Sequence, residues 1–404
     1  MTSILDREIP TKPMIIRRKR LENQTPYGLL RDVGAFGLRH FRLASANALH
    51  SILDPFITLT MITYPHITPP AAGESILVAP GIWWIRMPLP FKLDHINLWL
   101  LADHDEAGEC FTIVDTGYGV PATHTIWEQH LATTMQGKRV KRIIVTHYHP
   151  DHVGCASWLH EKTGAPVWMT AAEYLSAHAA AGDFAGFDRE STTRLFVAHG
   201  LATIRPNFAA PQKARTEAFK RGVPTVPTHY VRMMDSEGIQ IGGRDWKIAT
   251  VFGHAPEHAV LMCEQDKILI SGDQVLPRIT TNVSVWGNQP LGNPLKLFLD
   301  SMASFSHLAQ DTLVLPSHDR VFVGLHTRLD ELRAHHALRL DELATTLATP
   351  QCAAQILPVL FRRELDDHQL VFAMGEAIAH LHFLWYAGRV TRTQDASGIY
   401  RFAA

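Results

Sequence analysis

The segment Thr146-His147-Tyr148-His149-Pro150-Asp151-His152 places four metal-ligating side chains within six residues. It follows directly on Val140 to Val145, apolar except for Lys141 and Arg142, a run that predicts a buried strand. In an extended stretch residues two apart point the same way, so His147 and His149 can grip one ion together. Asp151 and His152 come just after Pro150 and open a helix predicted over Val153 to Lys162, so they point toward a second ion. The competing reading makes Asp151 a helix cap and the histidines ordinary surface residues in a chain that holds 24 of them. The downstream sequence decides against it.

Three further apolar runs each end on a candidate ligand. Lys247 to Phe252 leads into Gly253-His254-Ala255-Pro256-Glu257-His258, Lys267 to Ile270 into Ser271-Gly272-Asp273-Gln274, and Thr312 to Pro316 into Ser317-His318-Asp319. Each sits at the C-terminal end of a predicted strand, where loops carry function on a rigid scaffold. Singly, Asp273 reads as a turn residue and His318 as a loop histidine. In this order, each with a strand before it, they read as one site. His258, four residues past His254, is either a supporting partner or a helical surface residue, and the surface position is the default expectation.

With these motifs the chain resembles the metallo-β-lactamase superfamily. The resemblance covers roughly Ile76 to Leu325 and includes Asp115-Thr116-Gly117 after the predicted strand Phe111 to Val114. It implies an α/β fold, an αββα sandwich with metals at one edge. By motif, His147, His149 and His254 hold the first ion, Asp151, His152 and His318 the second, and Asp273 bridges the two. His149 stands where the flavodiiron branch carries Glu, which argues against an oxygen-reducing diiron enzyme. True β-lactamases often carry Cys where this chain has Asp273. A bridging carboxylate is instead the pattern of the glyoxalase II, lactonase, nuclease and thioesterase-like branches.

Length and composition suit such an enzyme. A chain of 404 residues predicts two or three units. We divide it into an N-terminal extension (1–73), a catalytic domain (74–324) and a C-terminal domain (325–404). The extension has a basic cluster, Arg17-Arg18-Lys19-Arg20, and a moderately apolar stretch from Leu49 to Tyr64, interrupted by His50, Asp54 and Pro55, that falls short of a membrane span. A solvated arm packing a short helix on the main domain is expected. Ala171 to Ala181, Arg189 to His199 and Pro211 to Phe219 are helix-compatible and form a long insertion, which the resemblance makes a lid. Tyr174, Phe219 and Tyr230 within it are expected to be core.

In the last part, Arg328 to Ala348, Pro350 to Arg363 and His368 to Ala387 show helical spacing and precede a hairpin, a winged-helix-like and mostly helical pattern. A unit of this kind follows the catalytic domain in the branch that includes thioester hydrolases and a single-strand RNA endonuclease. Arg320 to Ala404 contains nine arginines, no lysines and nine acidic residues, and the whole chain carries a net charge of −1. A nucleic-acid-binding unit presents a basic face, so nucleic acid is disfavoured as a partner. This part is expected to shape the pocket or a homodimer contact, and its removal at Leu325 to spare the metals. Four cysteines without a C-x-x-C pattern point to a reduced, cytoplasmic compartment, with Cys155 a packed thiol.

The expected reaction is hydrolysis of an ester-like bond, most readily a thioester of acyl-CoA or glutathione type or a lactone, by a hydroxide bridging two divalent ions. Asp151 both ligates and shuttles the proton. Four positive charges less two aspartates and one hydroxide leave about +1, so a small anionic acyl substrate is favoured. Zinc suits the His-rich ligands, and iron or manganese also fits. The alternatives are a metal-dependent single-strand RNA or DNA endonuclease and an iron-dependent persulfide dioxygenase that uses only the first-ion ligands.

Overall fold

A computed structural model describes residues 61–209 and 218–404. The basic cluster, and all but the last four residues of the Leu49 to Tyr64 stretch, lie outside the described residues, as do 210–217 of the insertion. The described residues form one compact unit. Among the described residues no helix is long and apolar enough to cross a membrane.

Two sheets dominate. The first has seven strands in chain order, β1 Ser75–Ala79, β2 Ile82–Pro88, β3 His95–Asp105, β4 Gly108–Val114, β5 Arg139–Ile144, β6 Val167–Thr170 and β7 Val231–Met233. Strands β1 to β4 form an antiparallel meander, and β4 to β7 run parallel. Parallel neighbours need crossovers; the Pro121–Ala132 helix supplies the first, and Pro150–Val153 with Ala156–Thr163 the second. The second sheet contains β8 Gly238–Ile241, β9 Arg244–Val251, β10 His258–Cys263, β11 Ile268–Gly272, β12 Leu313–Pro316 and β13 Phe322–Val323, in the order β13-β12-β11-β10-β9-β8.

Strand periodicity sorts the side chains into layers. Trp99 and Leu101 of β3 join Trp246 and Ile248 of β9, Ala259 and Leu261 of β10, and Ile270 of β11 in a core between the sheets. Their alternates Leu98 and Leu100 face the helices outside the first sheet. Ala249, Val251, Val260, Met262 and Leu269 face outward from the second. The central strands β10 and β11 are therefore covered on both faces, which is why they read as continuous apolar runs, whereas edge strand β8 alternates.

The helix predicted over Val153 to Lys162 is two helices, Pro150–Val153 and Ala156–Thr163. Gly154 and Cys155 separate them because the backbone passes close to its neighbours there: a Cβ on Gly154 would run into the carbonyls of Gly222 and Pro150. Cys155 is buried, and burial pushes its thiol up to about 12, so it is a packed and unreactive group. Tyr174 and Tyr230 stack at 4.0 Å and, with Phe219, pack half-buried against the outer core of the first sheet.

The C-terminal part forms helices Leu325–Thr346, Ala353–Leu360 and Asp367–Tyr386, then an antiparallel ribbon of β14 Thr391–Gln394 and β15 Tyr400–Ala403. It shares one continuous apolar core with the outer face of the second sheet, from Val251 and Val260 through Phe298 to Leu332, Met374 and Phe402. Buried Arg328 donates to the carbonyls of Leu276 (2.7 Å) and Ile279 (2.9 Å) in the loop after β11. The expectation that this part can be removed while the metals stay does not fit such packing.

Candidate metal centre

Every predicted ligand follows β5, β9, β11 or β12 at one edge of the sandwich, Asp151 and His152 in the short Pro150–Val153 helix and the others in loops. They converge in two groups whose nitrogen and oxygen atoms each lie within 4.8 Å: His147, His149, His254 and Asp273, and Asp151, His152 and His318. His147 Nε2 stands 2.9 Å from His149 Nδ1 and 3.2 Å from His254 Nε2. Asp273 Oδ2 is 3.3 Å from His254 Nε2, while its Oδ1 is 3.4 Å from the Nε2 atoms of both His152 and His318. Asp151 Oδ2 lies 3.5 Å from His318 Nε2 and 3.8 Å from His152 Nε2.

The outer nitrogens of these rings are spoken for. His254 Nδ1 donates to the carbonyl of Asn282 and His318 Nδ1 to that of His95, both at 2.8 Å. His152 Nδ1 donates to Asp115 Oδ2, also at 2.8 Å. Because a carbonyl or a carboxylate only accepts, each Nδ1 carries a proton and Nε2 is the nitrogen each ring turns inward. Asp115 further accepts from the Thr146 amide and hydroxyl, so it ties the end of β4 to the first residue of the ligand loop. Its backbone is left-handed, φ 62°, where the chain turns at the end of β4.

These residues fit divalent cations. Burial and the neighbouring imidazoles hold His147 and His149 well below their ordinary pKa, so both rings are neutral donors. Burial opposes charge on His152 and His318, yet the carboxylates around them raise both, Asp115 and Asp273 most for His152 and Asp273 most for His318. Despite its own burial, Asp273 is held well below the usual carboxylate range by His318 and His152. The two aspartates thus draw positive charge into the site. Buried His152 Nε2 and Asp273 Oδ1 have no hydrogen-bond partner among the described residues, an arrangement that a cation between them relieves.

His258 is not a helical surface residue. It opens β10, is fully buried, accepts the Asp273 amide on Nε2 at 3.1 Å and stacks on His147 with centroids 4.6 Å apart. Its i+4 spacing from His254 imitates a helix, but Pro256 and the turn before β10 place it beneath the ligands. Gly272 makes room for it, since a Cβ there would overlap the His258 ring and φ is +53°. Gly272→Ala is therefore expected to destabilise the protein by roughly 2–3 kcal/mol and to lower bound metal, because His258 and with it Asp273 must shift. Thermal melting with elemental analysis checks this, and an unchanged melt with full metal content would remove His258 from the supporting shell.

A two-sheet α/β sandwich with a buried His/Asp centre at one edge defines a class of proteins built to hold divalent metal. Residues 92–322 match the model of the Metallo-beta-lactamase superfamily, and residues 340–404 match the Metallo-beta-lactamase-like, C-terminal domain. The chain belongs to the metallo-beta-lactamase superfamily. It is 44% identical to a beta-lactamase domain protein from Burkholderia ambifaria of known crystal structure, covering 85% of this chain and 97% of that one with a TM-score of 0.78. A metallo-beta-lactamase family protein of Thermus thermophilus is 29% identical over 81% of this chain and 99% of its own, with a TM-score of 0.67. The Bacillus subtilis (strain 168) protein named Probable metallo-hydrolase YqjP is 22% identical over 78% of this chain and 96% of its own length.

Proposed function

We propose that the chain is a dinuclear metal-dependent hydrolase of ester-like bonds, acting on a small anionic acyl thioester of acyl-CoA or glutathione type or on a lactone, with zinc as its metal. The observation that carries this reading is Asp273, whose two carboxylate oxygens face different groups of ligands, Oδ2 toward His254 and Oδ1 toward His152 and His318. His147, His149 and His254 would hold one ion and Asp151, His152 and His318 the other, with Asp273 shared. Two divalent ions bound there would supply a water acidic enough to attack near neutral pH and a Lewis acid for the carbonyl oxygen.

The chain's own groups do the rest. Asp115, the Asn282 carbonyl and the His95 carbonyl fix ring orientation, so little reorganisation accompanies the reaction. Asp151 is the more exposed of the two ligand carboxylates, at 19% against 11% for Asp273. That exposure suits it to pass a proton between the site and solvent. The name of the Bacillus relative supports a hydrolytic reading, and the balanced charge of residues 320–404 supports a small substrate over a polyanion.

A metal-quantified preparation assayed in parallel on thioesters, lactones and labelled single-stranded RNA tests the proposal. Two metals per chain with thioester or lactone turnover and intact RNA is the expected result. RNA cleavage that disappears in Asp273→Ala would make the protein a nuclease, and a single iron per chain would defeat the dinuclear reading.

A further inference from the structure

Glu173 is a fully buried carboxylate that belongs to neither ligand group. It sits in the first turn of the Ala171–Ala181 helix, just after β6. Its Oε2 accepts the amide of Tyr148 at 2.9 Å and its Oε1 the amide of Glu257 at 2.6 Å. Tyr148 stands between His147 and His149, and Glu257 lies three residues past His254. One side chain thus grips the backbone of both loops that bring histidines to the first ligand group.

The grip is returned. Glu257 Oε2 accepts the amide of Ala172 at 3.2 Å, at the N-terminal end of the same helix, and the Glu257 carbonyl accepts the Thr170 hydroxyl at 2.8 Å. The two loops come from different sheets, β5 lying in the first and β9 and β10 in the second. His147 Nε2 and His254 Nε2 must nevertheless stand 3.2 Å apart. A rigid link between the loops removes the main freedom that would let them drift. Burial lifts the Glu173 carboxyl to about 7, and the Glu257 and Tyr148 amides, with His254 nearby, oppose that rise. A carboxylate is also the one side chain of this length with an acceptor on each arm.

We propose that Glu173 is a positioning residue for the first metal, presetting the separation of the His147/His149 loop from the His254 loop before any ion binds. The inference rests on the reading that these three histidines hold a metal. Glu173→Gln is nearly isosteric but presents an NH₂ group to one of the two amides, so one link becomes a donor facing a donor. A residue that merely fills space tolerates that change, whereas a clamp does not.

The experiment is a competition titration of zinc against a chromophoric chelator on metal-stripped full-length protein, wild type and Glu173→Gln, with thermal melting of each metal-free form. The expected result is a roughly 10–100-fold weaker tighter-binding zinc in the variant, the range for residues that orient ligands, with a metal-free melt close to wild type. Zinc affinity within twofold of wild type would overturn the clamp. A wild type that binds no zinc would instead overturn the metal reading, so the two failures are distinct. If Glu173→Gln does not fold, hydrogen exchange on metal-free wild type replaces it. Slow exchange of the Tyr148 and Glu257 amides is then expected, and fast exchange would show that the loops are not preset.

Discussion

Asp273→Ala is expected to cut hydrolysis by at least about 1,000-fold, or ~4 kcal/mol of transition-state stabilisation, and to bring bound metal below two ions per chain. The carboxylate is within 3.4 Å of ligand nitrogens in both groups, so on the dinuclear reading its loss would take a donor from each ion and the link between them. The fold should survive. The backbone at position 273 keeps its two links, since the amide still donates to His258 Nε2 and the carbonyl still accepts the Thr281 hydroxyl. The histidines left behind can shed their protons, so no fixed charge is stranded in the interior. Kinetics on the substrate found in the panel, with elemental analysis and circular dichroism of the same samples, provides the check. Turnover near the wild-type rate would sink the bridging assignment, and loss of the folded spectrum would mean that Asp273 serves the structure first.

The contrast between Asp273 and its surroundings shows what the sequence makes legible. Strands β5, β9, β11 and β12 can be read because each ends in a largely buried apolar stretch, and the ligands can be read because each follows such a stretch. The parts that orient those ligands leave no trace of that kind. Two of the acceptors are main-chain carbonyls, at Asn282 and His95, and any residue supplies a carbonyl. Asp115 is visible as a turn residue, but its hydrogen bond to His152 spans 37 positions and depends on how β4 and β5 pair. Glu173 looks like any acidic residue in the first turn of a helix, and only the fold shows it to be buried beneath two ligand loops. His258 misleads for a similar reason, because a spacing of four residues means one face of a helix only where there is a helix. The C-terminal helices are legible as helices but not in their packing. In Asp367–Tyr386 eleven of twenty residues are buried, including His380 and His382, which marks an element covered on more than one side.

That packing leads to the other large effect. A chain ending at residue 324 is expected to be insoluble or loosely collapsed rather than a smaller metal-loaded domain. Val251, Val260, Met262, Leu269, Val314 and Phe322 lie in the same core cluster as the C-terminal helices. Each such side chain contributes about 1.5–3 kcal/mol by burial, so uncovering even half of them costs on the order of 5–9 kcal/mol. The net stability of a domain is only about 5–15 kcal/mol. Polar anchors are lost as well. The carbonyls of Leu276 and Ile279 lose Arg328, that of Gly292 loses His382, and the amide of Val285 loses the carbonyl of Gly375. All four belong to the stretch that presents the Asn282 carbonyl to His254, so the metal ligands would lose their support together with the core. Expression of residues 1–324 followed by size-exclusion chromatography, melting and elemental analysis makes the comparison. A soluble, cooperatively melting product with two metals would show that the outer face of the second sheet needs no cover, and that residues 325–404 act on the substrate alone.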